Sequence, residues 1–210
     1  MKKIEEVKES KFITYQKMFW LFMIGNLVGV LLEGFWYLFK FGHWETHVVT
    51  IWGPFCLIYG IGCAGFYLAY KKLKDKNIII QFLTIAIVAD IVEYFCGFLL
   101  EHALHMRAWD YSKQFLNLHG HICLLMTIIW GIIGIVFIKV IGPLWDKFFI
   151  KISSKNWQRL CVTLSIFMVV NMIATTGCMI RWRNRHFNIN PSNKVSKLID
   201  RTYNDERMQN

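Results

Sequence analysis

Charge is what this sequence of 210 residues has least of. Asp, Glu, Lys and Arg together make 18% of it, where an ordinary soluble domain carries roughly a quarter. Six cysteines occur, but no two are spaced Cys-x-x-Cys. All lie inside or at the ends of apolar stretches, so they read as small buried hydrophobes, not as a thiolate metal site or a disulfide framework. Also missing are a phosphate-binding P-loop, a dinucleotide-binding glycine motif and a nucleophile elbow. The chain therefore has no recognisable ATP site of its own, and nothing points to a cofactor. No zinc-finger or RNA-binding signature accompanies the net charge of +10. The basic residues flank apolar blocks, which makes anionic lipid headgroups the simpler partner and nucleic acid an unsupported one. No cleavable signal is expected either. The first 17 residues are polar and charged, and the apolar block that follows is too long for a signal core.

Apolar residues are abundant, at 55%, and they come in blocks. A helix needs about 20 mostly apolar residues to cross the hydrocarbon, and five blocks qualify: 18–39, 51–70, 78–104, 122–141 and 160–180. They lack the alternating polarity of membrane β-strands. The expected fold is all-α, a polytopic transmembrane helical bundle of about five spans. It is flanked by a cytoplasmic N-terminal tail (1–17) and a polar, basic C-terminal tail (181–210).

Counting Lys and Arg by segment, the N-terminal tail, second loop and fourth loop hold five, four and five, or fourteen in all. The first loop, third loop and C-terminal tail hold one, two and seven, or ten in all. The positive-inside rule thus favours a cytoplasmic N-terminus. Arg181, Arg183 and Arg185 sit awkwardly with this, because five spans put the two tails on opposite sides. Either the tail is external despite its charge, or one block is re-entrant. Trp52, Gly53 and Pro54 are one candidate, and the segment 109–120 is another; such backbone must be covered by protein or line a water-filled cavity.

Ionisable groups inside the spans are costly, at about 2.5–3.5 kcal/mol for a carboxylate on insertion scales. Asp90, Glu93, Gly97, Glu101 and His105 fall within about 120° of one another on a helix. Asn26, Glu33 and Lys40 repeat the pattern on the first span. Two such stripes are expected to face a common interior, as a polar pathway or as interhelical hydrogen-bonding contacts. Small residues four apart (Gly25 and Gly29, Gly60 and Ala64), with Gly120, Thr127, Gly131 and Gly134 on the fourth block, suit close helix packing. The cluster Glu101, His102, His105, Asp110, His119 and His121 matches no specific zinc signature. Within it Glu101 and His105 are the spacing that would suit a metal, although none is expected.

Several motifs carry a family resemblance. Trp52-Gly-Pro-Phe-Cys-Leu-Ile-Tyr-Gly-Ile-Gly62 resembles a G-P-x-x-P-I-Y-G-x-G motif, and Glu93-Tyr94 with Gly97 and Glu101 resembles E-Y-x-x-G-x-x-x-E. Trp109-Asp110-Tyr111-Ser112 matches W-D-Y-S. Asn117 to Leu124 resembles N-x-x-G-R-I-C-L, followed by Trp130-Gly131. Together these resemble the putative ABC-transporter type IV family, the CmpB-like permeases. Leu57 stands where that family has proline and His121 where it has arginine, so a pair between position 121 and a motif carboxylate would be weaker and pH-dependent. The segment from Asp200 to Met208 is a candidate extension of the likeness.

The resemblance implies a bacterial multi-pass protein of the cell membrane named as a permease. A transport component would line its route with Glu33, Asp90, Glu93 and Glu101. Trp109, Asp110 and Tyr111, with Asn117 and His121, would form its mouth. It would work as a homo-oligomer or with a partner subunit, and the family name adds a separate ATPase. Two alternatives stay open: a membrane-embedded enzyme acting on a lipid or isoprenoid, and a non-catalytic membrane partner or sensor.

Overall fold

The computed structural model describes residues 2–45, 50–105, 107–151 and 154–209. Among them the helices run α1 (Lys2–Phe41), α2 (Leu57–Leu73), α3 (Ile78–Leu99), α4 (Leu124–Val136), α5 (Gly142–Lys151), α6 (Lys155–His186), α7 (Lys194–Thr202) and α8 (Asp205–Gln209), with no strand. α1 begins at Lys2, so the polar N-terminal segment and the first span are one continuous helix. Four stretches are long and apolar enough to cross a membrane: Tyr15–Phe41, Ile78–Leu104, Leu124–Phe149 and Lys155–His186.

Local chemistry sets the breaks. Asn77 caps α3 by accepting from the Ile80 N–H at 2.8 Å. Gln81 turns back to donate to the carbonyls of Leu73 and Lys76, at 2.8 and 2.9 Å, which closes the tight α2–α3 turn. α4 passes into α5 through a π-helical turn, Phe137–Ile141. Pro143 follows it, and a residue with no N–H cannot continue the regular ladder.

The two ends of the bundle are distinguished by their contacts. At one end Asp146 of α5 accepts from Lys17 (2.8 Å), Lys71 (2.7 Å) and the Tyr67 hydroxyl (2.7 Å). An apolar cluster of Leu21, Tyr67, Phe137, Ile138, Trp145 and Phe149 lies beside it. At the other end Arg183 of α6 donates to the Ala103 carbonyl at 2.6 Å, and the Trp52 indole donates to the Tyr203 hydroxyl at 3.0 Å. Among the described residues the chain passes between these ends five times, four of them in the long apolar stretches, and the segment after α6 lies opposite Lys17.

The second crossing is the unusual one. With 17 residues, α2 is about 25 Å long, short of the roughly 30 Å hydrocarbon core. Irregular backbone at 50–56 completes it. Asn171, fully buried midway along α6, donates to the Trp52 carbonyl at 2.7 Å, and Thr175 accepts from the Ile51 N–H at 3.2 Å. The Trp52-Gly53-Pro54 segment, one of two candidates for a re-entrant stretch, is thus the irregular start of the second crossing, with backbone groups of Ile51 and Trp52 bonded to α6.

The basic tail also finds its explanation. Asp200 on α7 bridges Arg181 and Arg185, and Asp205 takes a second bond from Arg185 at 2.7 Å. The arginines that looked like a cytoplasmic anchor are consumed inside the fold. Arg181 holds the Asp200 carboxyl below the usual carboxylate range, and Arg185 adds to the effect.

Two expectations follow. With native cysteines replaced, single cysteines at Lys113 and Lys194 will react with an impermeant maleimide from one face of a sealed vesicle and a cysteine at Lys74 only from the other. Reaction of Lys194 and Lys74 from the same face would refute five crossings. Because the folded-state Asp200 value is depressed, its stabilising contribution is present above the ordinary aspartate range and is lost as pH falls through the folded value. Hydrogen exchange in α7, corrected for its intrinsic pH dependence, should therefore stay slow near neutrality and quicken only in acid.

Candidate functional site

The helical stripe on α3 separates into distinct settings. Glu93 is only 6% exposed. It accepts from the Trp130 indole N–H on α4 at 2.8 Å and from the Tyr111 hydroxyl at 3.1 Å. Asp90 lies within 2.7 Å of the Thr127 hydroxyl. Tyr94 bonds His119 Nδ1 at 2.8 Å, and its ring meets that of His121 edge-on at 5.4 Å. Gly97 leaves room for the His121 ring, whose Nδ1 a Cβ there would meet at 2.7 Å.

Glu101 lies in the π-helical turn Leu100–Leu104 that ends the third crossing. It pairs with His121 Nε2 and with Arg107, each at 3.2 Å. The structure does not bring His105 to Glu101. Helical geometry stops at Leu104, His105 takes a left-handed φ of 54°, and its ring packs against Phe187 at 5.3 Å. The i, i+4 ligand pair the sequence suggested therefore does not form. His102 is engaged with its own helix, against the Phe98 ring and carbonyl. Among the described residues no group of His, Cys, Asp and Glu side chains has metal-binding geometry.

The segment 107–123 is a braced loop that turns one side chain inward. Asp110 accepts from the Ser112 N–H at 2.9 Å in an Asx turn and pairs with Arg107 at 3.1 Å. The Ser112 N–H, with Arg107 adding to it, keeps the Asp110 carboxyl below its ordinary range. Asn117 donates to the Ser112 and Gln114 carbonyls, both at 3.0 Å, and accepts from Gly120 N. Gly120 (φ +74°) must be glycine for the turn and leaves space for the Asp110 carboxylate. The Trp109 indole donates to the His121 carbonyl at 2.8 Å, and the Tyr111 N–H to the Gly120 carbonyl at 2.8 Å. With the backbone pinned on both sides, the Tyr111 hydroxyl is delivered to Glu93.

Glu33 on α1 is half-buried. Tyr59 of α2 stands within electrostatic reach of Glu33 and of Glu93, and Tyr111 within reach of Tyr59. A family model described as Putative ABC-transporter type IV matches residues 20–176 of this sequence. The chain belongs to that family. No curated protein and no solved structure matches it. The matched stretch holds every residue of the cluster just described and stops before the tail, so Asp200 to Met208 lie outside it. It makes the chain a membrane protein of a transporter family, and His121, which like Leu57 departs from the family motif, does reach a motif carboxylate, Glu101.

Sequence reasoning passed over Tyr59, Thr127, Trp130 and Arg107 as functional groups. Tyr59 and Trp130 stood inside motifs, and Thr127 was read only as a small packing residue. The signal for Thr127 and Trp130 was a polar group on the neighbouring span opposite Asp90 and Glu93. Replacing Gly97 by Val should displace the 3% exposed His121 and break its pair with Glu101, at a cost of about 1–3 kcal/mol. A thermal midpoint in detergent that matches the unmodified protein would contradict this packing.

Proposed function

We propose that this chain is a component of a membrane transport system whose polar interior carries a cation. The route runs from Glu33 past Tyr59 to Glu93 and Tyr111, and opens at a mouth built by Glu101, Trp109, Asp110, Asn117 and His121. Asp90 stands beside this line, toward α4. The observation that carries the reading is Glu93. An acidic side chain removed from water inside an apolar helix is costly, and here two other elements, α4 and the loop, supply donors that hold it. Donors from α4 and from the loop fix its position without neutralising it with a lysine or arginine. A fixed, uncompensated negative charge at depth suits transient occupation by a cation.

The same reasoning sets the company the chain keeps. Five crossings enclose little space, so a second copy or a partner subunit would complete the route, and the family name points to a separate ATPase. The surplus of Lys and Arg at the Lys17 and Lys71 end favours a cytoplasmic N-terminus in the cell membrane. The test is ion flux in proteoliposomes, read for protons, sodium and potassium in turn. Wild-type protein should pass one of them, and Glu93→Gln should lower that flux about tenfold or more, equivalent to ~1.4 kcal/mol. Equal flux in the two proteins would remove Glu93 from the route.

A further inference from the structure

Two carboxyl groups one helical turn apart on α3 have opposite partner sets. We infer that Asp90 is held as a neutral acid that donates its proton to Thr127, a proton-binding site within the third crossing, while Glu93 is the ionised member of the two. The argument is a count of hydrogens. Thr127 Oγ1 has one hydrogen and two acceptors in reach, Asp90 Oδ2 at 2.7 Å and the Cys123 carbonyl at 3.1 Å. A membrane-helix threonine readily gives its hydrogen to the carbonyl four residues back. If Asp90 carries the proton, a continuous chain forms from Asp90 Oδ2–H to Thr127 Oγ1–H to the Cys123 carbonyl, and both hydrogens have acceptors.

The other oxygen points the same way. Asp90 Oδ1 is buried and has no hydrogen-bond partner among the described residues. As half of a carboxylate it would be a desolvated charge. As the carbonyl oxygen of a neutral acid it costs only what a lone polar atom costs. Glu93 differs, because each of its oxygens meets a donor, and the indole N–H of Trp130 can only donate. Two like charges this close disfavour double ionisation, and the partners decide which group keeps the proton.

Among the described residues the surroundings of Asp90 supply no counter-charge. From α3 the titratable neighbours are Glu93 and Tyr94; the loop offers Cys123, whose carbonyl meets Thr127, His119, already bonded to Tyr94, and the apolar Leu118 and Ile122. Arg107 is engaged by Glu101 and Asp110. Asp90 instead lines a groove of about 260 Å³ whose rim residues Ile87, Ile91 and Phe95 are exposed on the flank of the bundle. The inference does not depend on the transport reading, but it leaves that route a single charge on α3.

Infrared spectroscopy of the full chain in lipid nanodiscs tests it. At neutral pH the spectrum should contain the C=O band of a protonated carboxyl group that Asp90→Asn removes and Glu93→Gln leaves in place. Thr127→Val, which takes away the acceptor, should move the same band to higher frequency. That variant reads the site with Asp90 intact, and so stands in if the Asp90 variant fails to fold. A spectrum with no band sensitive to Asp90→Asn, a band lost in Glu93→Gln instead, or one unmoved by Thr127→Val would overturn the assignment. Flux measurements bear only on the transport reading, so the two can fail separately.

Discussion

The bond from Tyr111 to Glu93 joins the lowest-cost and highest-cost parts of the chain, an interhelical loop and a carboxyl group sunk in an apolar helix. For the hydroxyl to arrive, the loop has to turn inward and stay there. That requires the Asx turn at Asp110, the left-handed Gly120 and the amide brace of Asn117. The returning strand of the loop must then sit on α3, which it does through His121, lodged over the bare Gly97 and paired with Glu101. Trp130 closes the arrangement from α4. Remove the buried acid and most of these features lose their reason; keep it and each is needed to avoid an unsatisfied polar group in a dry place.

A second demand of the same kind shapes the other half of the molecule. Backbone that leaves the helix inside hydrocarbon needs protein partners for its N–H and C=O groups. The stretch before α2 obtains them from Asn171 and Thr175, one turn apart on α6. The tail then packs on the same helix, with Asp200 between two arginines and Tyr203 reaching Trp52. α6 therefore buries a polar line at Asn171, Thr175 and Arg181, while apolar Val169 and Ile173 are exposed on its flank.

The sequence made the helices legible because lipid imposes a length and a composition that few soluble segments meet. An all-α chain of about five spans followed from that alone, and four of its helices are long and apolar enough to cross a membrane. The likeness of motifs, anchored by Trp109-Asp110-Tyr111-Ser112 and Glu93-Tyr94, led to the family that the match over 20–176 establishes. What stayed hidden were pairings between segments distant in sequence. Nothing local distinguishes Trp130 as the partner of Glu93, or Asp200 as the partner of Arg181. Spacing on a continued helix set His105 beside Glu101, whereas the helix ends at Leu104 and His105 takes a left-handed φ of 54°. The pairing of the tail's arginines stayed hidden because a count of charge by segment carries no partners.

The contact between α1 and α2 has a mechanical consequence. Gly25 and Gly29 face Cys63 and Tyr59, and Gly60 faces Asn26, so tightly that a methyl group at any of the three would overlap its neighbour. Backbones that close interlock like gear teeth, and neither helix can slide along the other without a steric collision at every turn. The pair therefore behaves as a single rigid blade carrying Glu33 and Tyr59 together.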